Sequence, residues 1–176
     1  MRQQGFYAID EVLRRESYKL LCFVLAKYEF EKYQYAYGAP DIFEAIESEQ
    51  TELNTSIMAL AALARANDDS GEGLTEYRKS ENSSVGSLVI EGTKSVPLSS
   101  REACNKIIHS TSAEWSLKET KDHPLYADNY KERKILSDYI YKEPILLLSG
   151  KNGNKFWNAE VNIIQWVASV AGWGAN

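Results

Sequence analysis

Apolar residues recur along this chain at two spacings, a helical one through the first half and a mixture of helical and alternating ones after it. From Tyr7 to Tyr35 no proline or glycine interrupts the chain, and Ile9, Val12, Leu13, Leu20, Phe23, Val24 and Ala26 supply a broad apolar side. That pattern predicts a long helix. Gly38 and Pro40 follow it as stop signals. A second helix begins at once, with Asp41 and Glu44 at capping-box spacing and a stripe of Ile42, Ile46, Leu53, Ile57, Leu60, Ala61 and Ala64. It stops at Asn67-Asp68-Asp69-Ser70-Gly71. The short Gly-Ala-Pro connection between the two predicts an antiparallel helix pair.

The next stretch is rich in Ser, Gly, Glu and Asn, and only Ser87 to Glu91 reads as a strand. Residues 68–97 are therefore expected to form a long loop or partly mobile insert within a single domain, 1–176. Ser99 to Thr111 returns to the helical period, with Ala103, Cys104, Ile107, Ile108 and Thr111 on one side. The period then becomes two. Ala113, Trp115 and Leu117 alternate with Glu114, Ser116 and Lys118, the mark of a half-buried strand.

Lys121 to Lys134 is charged and holds His123-Pro124, so it reads as an exposed loop. Pro144 to Ser149 and Lys155 to Val161 read as strands around a tight turn centred on Asn152-Gly153, a strong hairpin signal. Asn162 and Gln165 cap a last helix, apolar at Ile163, Trp166, Val167 and Val170. The expected fold class is α+β and mainly helical: a long antiparallel helix pair, short helices, and a small antiparallel sheet built on the C-terminal hairpin.

Composition changes this picture little. Of the 176 residues, 44% are hydrophobic and 26% charged, which is ordinary for a globular chain. The net charge of −5 argues against broad, non-specific nucleic-acid binding, which depends on neutralising phosphates. The acidity is uneven, however. Residues 1–100 carry 10 Lys and Arg against 16 Asp and Glu, and residues 101–176 carry 10 against 9, which leaves room for a local anion site in the second half.

Two isolated cysteines, Cys22 and Cys104, lie among apolar residues and read as reduced core thiols. With two histidines in all, and no ligand spacing, neither a metal nor a cofactor is expected. The longest apolar run is too short to span a bilayer, and the first residues lack a signal peptide's apolar core. A cytoplasmic location with no membrane partner is the expectation. The aromatic cluster Tyr28, Phe30, Tyr33, Tyr35 and Tyr37 reads as helix packing before it reads as a base-stacking platform.

Chemistry concentrates in Ser99 to Thr111. Ser99 and Glu102 have capping-box spacing, and Arg101, Asn105 and His109 step along the polar side at successive i, i+4 positions, with Lys106 beside them. A solvated polar face accounts for this set as readily as a site does.

An arginine and a histidine on the polar side of a helix, in a mainly helical domain, resemble the HEPN superfamily. The resemblance covers the initial helix pair and the Arg101–His109 segment, and leaves the strands after Ala113 as an addition. Members are often dimeric, and many are metal-independent ribonucleases in which Arg and His of two protomers share a cleft. Here seven residues separate Arg101 from His109, where the family usually has four to six, and Glu102 stands where Asn, Asp or His is common. An i, i+8 offset is about 80° around a helix, so both groups still share a side.

The resemblance implies His109 as general base or acid, Arg101 as phosphate clamp, Asn105 orienting the imidazole or touching the sugar, and Lys106 as an RNA-backbone contact. It also implies a homodimer acting on RNA, or a toxin-like effector held by an antitoxin or other regulatory protein. The alternative is a non-catalytic helical domain for protein interaction or assembly, with the same polar edge making structural hydrogen bonds.

Overall fold

A computed structural model of the chain describes residues 11–25, 41–69, 84–120 and 139–171. Within them, residues 11–25 form helix α1, Asp41–Asp69 α2, Ser100–Ile108 α3 and Ile163–Ala171 α4. The strands are β1 (Gly86–Ile90), β2 (Val96–Pro97), β3 (Ser112–Thr120), β4 (Tyr139–Asn152) and β5 (Lys155–Asn162). All five join one antiparallel sheet in the order β2-β1-β5-β4-β3.

This corrects the expected fold class. The class predicted a helical body with a small sheet at its C-terminal hairpin, whereas the sheet is central and draws on the chain from Gly86 onward. The reason is β1. Of the segment expected to be a loop or insert over 68–97, residues 68–69 finish α2, and Gly86–Ile90 and Val96–Pro97 are strands of the sheet. Gly86 to Ile90 pairs along its whole length with Val161 to Trp157, so β1 is an interior strand. A Cβ at Gly86 would run into the Glu160 carbonyl oxygen, so only glycine lets the two backbones meet there.

The predicted hairpin is present, one residue further on than expected. Asn152 pairs with Lys155, leaving Gly153-Asn154 as the two-residue loop, with Gly153 at φ 59°. The glycine, free of a Cβ, takes the left-handed position, and the asparagine follows it.

Alternation along the strands separates the two faces of the sheet. Trp157, Ala159 and Val161 of β5 are buried with Leu146 and Leu148 of β4 and Leu88 of β1, while Phe156, Asn158, Glu160 and Leu147 face away and are exposed. The buried face meets Ala103, Cys104 and Ile107 of α3 and Ile163, Trp166, Val167 and Val170 of α4 in one core. Leu13, Leu20 and Val24 of α1 belong to the same core. Leu53, Ile57, Leu60, Ala61 and Ala64 of α2 also join it, and α2 packs against α3.

Two of the three predicted caps form, that at Asp41 lying outside the described side chains: Ser99 Oγ accepts from Glu102 N–H at 3.2 Å, and Asn162 Oδ1 from Gln165 N–H at 3.0 Å. Where α3 crosses α4, Ser169 Oγ donates to the Trp166 carbonyl at 2.7 Å. Its one hydrogen being used, the 2.6 Å contact between Ser100 and Ser169 has Ser100 as the donor.

Cys104 is buried as expected, and burial pushes its thiol up to about 11. Cys22 departs from the expectation and is exposed, because its position on α1 turns away from the Leu13–Leu20–Val24 stripe. The aromatic cluster, the Gly38–Pro40 stop, the connection between α1 and α2, and the loop carrying His123 lie outside the described residues. Among the described residues, no helix is long and apolar enough to cross a membrane.

Candidate functional site

The polar side of α3 faces the C-terminal end of α2, and most of it is engaged there. α2 ends in Asp68-Asp69 with no basic residue in its last turn. Two carboxylates at that end oppose the helix dipole, whose negative pole is the C-terminus. Arg101 stands in the first turn of α3, where a cation is equally misplaced. Bringing the two ends together cancels both misplacements. Arg101 Nη1 pairs with Asp68 Oδ2, and Arg101 Nη2 donates to Asp69 Oδ1 at 2.6 Å. The Asp68 side chain is fully buried, and only 23% of the Arg101 side chain is exposed.

From there the contacts run on without a break. Arg65 Nε donates to Asp69 Oδ2 at 3.1 Å and Arg65 Nη1 to Asn105 Oδ1 at 2.8 Å. Asn105 Nδ2 donates to Glu102 Oε2 at 3.1 Å. Lys106 Nζ lies 3.1 Å from Glu102 Oε1 and 4.6 Å from the centroid of the Trp157 ring. Burial pushes the Glu102 carboxyl up, but the hydrogen bonds from Asn105 and Lys106, helped by the Lys106 and Arg65 charges, hold it below the ordinary glutamate range.

Of the four residues singled out from the sequence, three therefore belong to one network and the fourth does not. Arg101, Asn105 and Lys106 point into the α2–α3 seam and down to the sheet. His109 is the C-cap of α3: its backbone N–H reaches the Asn105 carbonyl at 3.0 Å, and the residue is exposed. Its imidazole has no partner among the described residues. Arg101 and His109 stand at opposite ends of a short helix, about 12 Å apart along its axis. Within one chain the arginine is turned to the carboxylates of α2.

Lys106 is 9% exposed and sits over an indole ring, which removes it from the surface where an RNA backbone would pass. Among the described residues, no group of three or more His, Cys, Asp or Glu could hold a metal ion.

Arg65, Asp68, Asp69 and Trp157 are partners that the sequence reading missed. One signal did point to the two aspartates. An acidic pair ending a helix that has no basic residue in its last turn calls for a cation from elsewhere. Trp157 lies on the buried face of β5, but nothing in sequence spacing ties it to Lys106. Comparison of the chain with family models, with curated proteins and with solved structures found no match.

Proposed function

We propose that this chain is a non-catalytic α+β domain that works through protein interaction or assembly, and that Arg101, Asn105 and Lys106 are structural. One observation carries the reading: Arg65, Arg101 and Lys106 face Asp68, Asp69 and Glu102, three cations against three carboxylates in one connected network. Stabilising a pentavalent phosphorane takes cationic donors aimed at the reacting phosphate. An arginine held by two carboxylates has already spent its fork geometry on them. A cytoplasmic location belongs to the same proposal.

The competing reading, an HEPN-like metal-independent ribonuclease, is favoured by the exposure of His109, whose imidazole stands open to solvent at the end of α3. One experiment separates the two. Purified wild type, His109→Ala and Arg101→Ala are incubated with single-stranded RNA and a metal chelator, and each is melted in parallel. The interaction reading expects no His109-dependent cleavage and a lowered melting temperature for Arg101→Ala. Chelator-resistant cleavage that disappears in both variants, with wild-type melting temperatures throughout, would establish the ribonuclease instead.

A further inference from the structure

The two edges of the sheet are built differently. One edge is β2, two residues long and ending in Pro97, which has no N–H to offer. A short, proline-bearing strand is a standard way of keeping a sheet from recruiting another strand. The other edge is β3. It runs for nine residues, Ser112–Thr120, without proline or glycine, and pairs on one side only among the described residues.

A bulge would also blunt an edge, and this sheet has one beside β3, but the extra residues lie on the other strand. Trp115 pairs with Leu146 and Leu117 with Lys142, so Ser116 alone faces Glu143, Pro144 and Ile145. The surplus, including the proline, is absorbed by β4. Ser116 is held at the bulge by a 2.9 Å hydrogen bond to the Glu143 carboxylate. Among the described residues, the outer side of β3 is left as a regular strand edge.

The sequence of that edge is complementary to itself. An antiparallel pairing of two copies about a two-fold axis at Ser116 sets Glu114 opposite Lys118 of the second copy, and Lys118 opposite its Glu114. It sets Trp115 opposite Leu117 in the same reciprocal way. Ser116 meets itself on the axis. Directly opposed residues share a face, so this register pairs charged positions with charged positions on one face and apolar positions with apolar positions on the other, the face on which Trp115 packs partly buried against the core. A register shifted by one would break that separation.

Resting on the interaction reading above, we infer that the partner at β3 is a second copy of this chain, joined edge to edge into one continuous ten-stranded antiparallel sheet. Main-chain hydrogen bonds supply the attraction, and the Glu114–Lys118 pairs fix the register. The geometry also bears on His109. Ser112 lies four residues from the axis, so the two copies of Ser112 are about 26 Å apart, and His109 stands three residues before Ser112, outside the paired strands. This dimer has no cleft shared by two His109 side chains.

Sedimentation of the full chain across a concentration series tests the inference. Wild type is expected to dimerise. Glu114→Lys and Lys118→Glu should each raise the dimer dissociation constant at least tenfold, because each brings two like-charge pairs together across the axis. An equimolar mixture of the two variants should recover wild-type affinity as a heterodimer, since every cross-strand pair is then opposite in charge. That recovery could not occur if either variant were misfolded.

In a Cys22→Ser background, Ser116→Cys should form an intermolecular disulfide on mild oxidation, since directly opposed strand residues lie within disulfide reach. A monomeric wild type, or a dimer whose affinity ignores both charge reversals, overturns the inference. Neither result touches the interaction reading itself, which falls only to His109-dependent RNA cleavage.

Discussion

The polar side of α3 and the free edge of β3 are separated by only three residues, His109 to Thr111. Judged by composition, the first looks functional and the second ordinary. Their surroundings reverse that. Arg101, Asn105 and Lys106 have found their partners on α2, on α3 itself and on β5, so the residues with the most chemistry have the least of it free. β3 carries commonplace side chains, but one row of its backbone groups lies at the end of the sheet. The lesson is that the reactivity of a side chain is fixed by what remains unpaired after folding, and residue type sets only its upper limit.

Mutations can break this contrast, beginning where the effect should be largest. Arg101→Ala leaves the buried Asp68 carboxylate without its guanidinium, and should lower unfolding free energy by about 2–3 kcal/mol, read from urea titration. Had Arg101 been a surface phosphate clamp, the same change would leave stability where it was. Asn105→Ala removes the link between Arg65 and Glu102 and should lose about 1–2 kcal/mol in the same titration.

A smaller effect is expected from acid. The Glu102 carboxyl is held down in the folded chain, so its contribution is complete above the ordinary value of about 4.3 and disappears as pH falls through the lower folded value. Melting temperature should therefore drop more steeply between roughly pH 5 and pH 3 in wild type than in Glu102→Gln. At the bottom of the scale, His109→Ala and Glu114→Lys alter exposed side chains and should change stability within about 0.5 kcal/mol, measured at protein concentrations low enough to keep the chain monomeric. A large loss from His109→Ala would move that residue to the structural side of the comparison.

The sequence makes plain whatever depends on neighbours in the chain. The caps at Ser99 and Asn162, the stripe from Leu53 to Ala64, and the alternation of Trp157, Ala159 and Val161 along β5 all follow from local spacing, and the structure has them in place. What depends on distant pairing was not legible. β1 has five residues, enough to read as a strand but too few to separate an interior strand from an edge strand on a surface loop, and its place is set by β5. β2 is shorter still. For the candidate site, the i, i+4 positions put Arg101, Asn105 and His109 on the side of α3 away from its apolar face, but helical spacing says nothing about which neighbour that side meets. Only the acidic pair ending α2, out of keeping with its own helix dipole, carried that information in advance.

The place of β1 in the sheet also has a consequence for the order of events during synthesis. Gly86 pairs with Val161, 75 positions later, and α3, β3 and β4 all emerge between them. At ribosomal speeds of roughly 5–20 residues per second, β1 waits on the order of 4–15 s for the strand that completes it. Its other neighbour, the two-residue β2, offers little shelter meanwhile. The β4–β5 hairpin needs only its own turn and closes in about 1–10 μs once both strands are available. The growing chain thus carries β1 as an unfinished strand until β5 emerges, and its capture is the longest-range step in assembling the sheet.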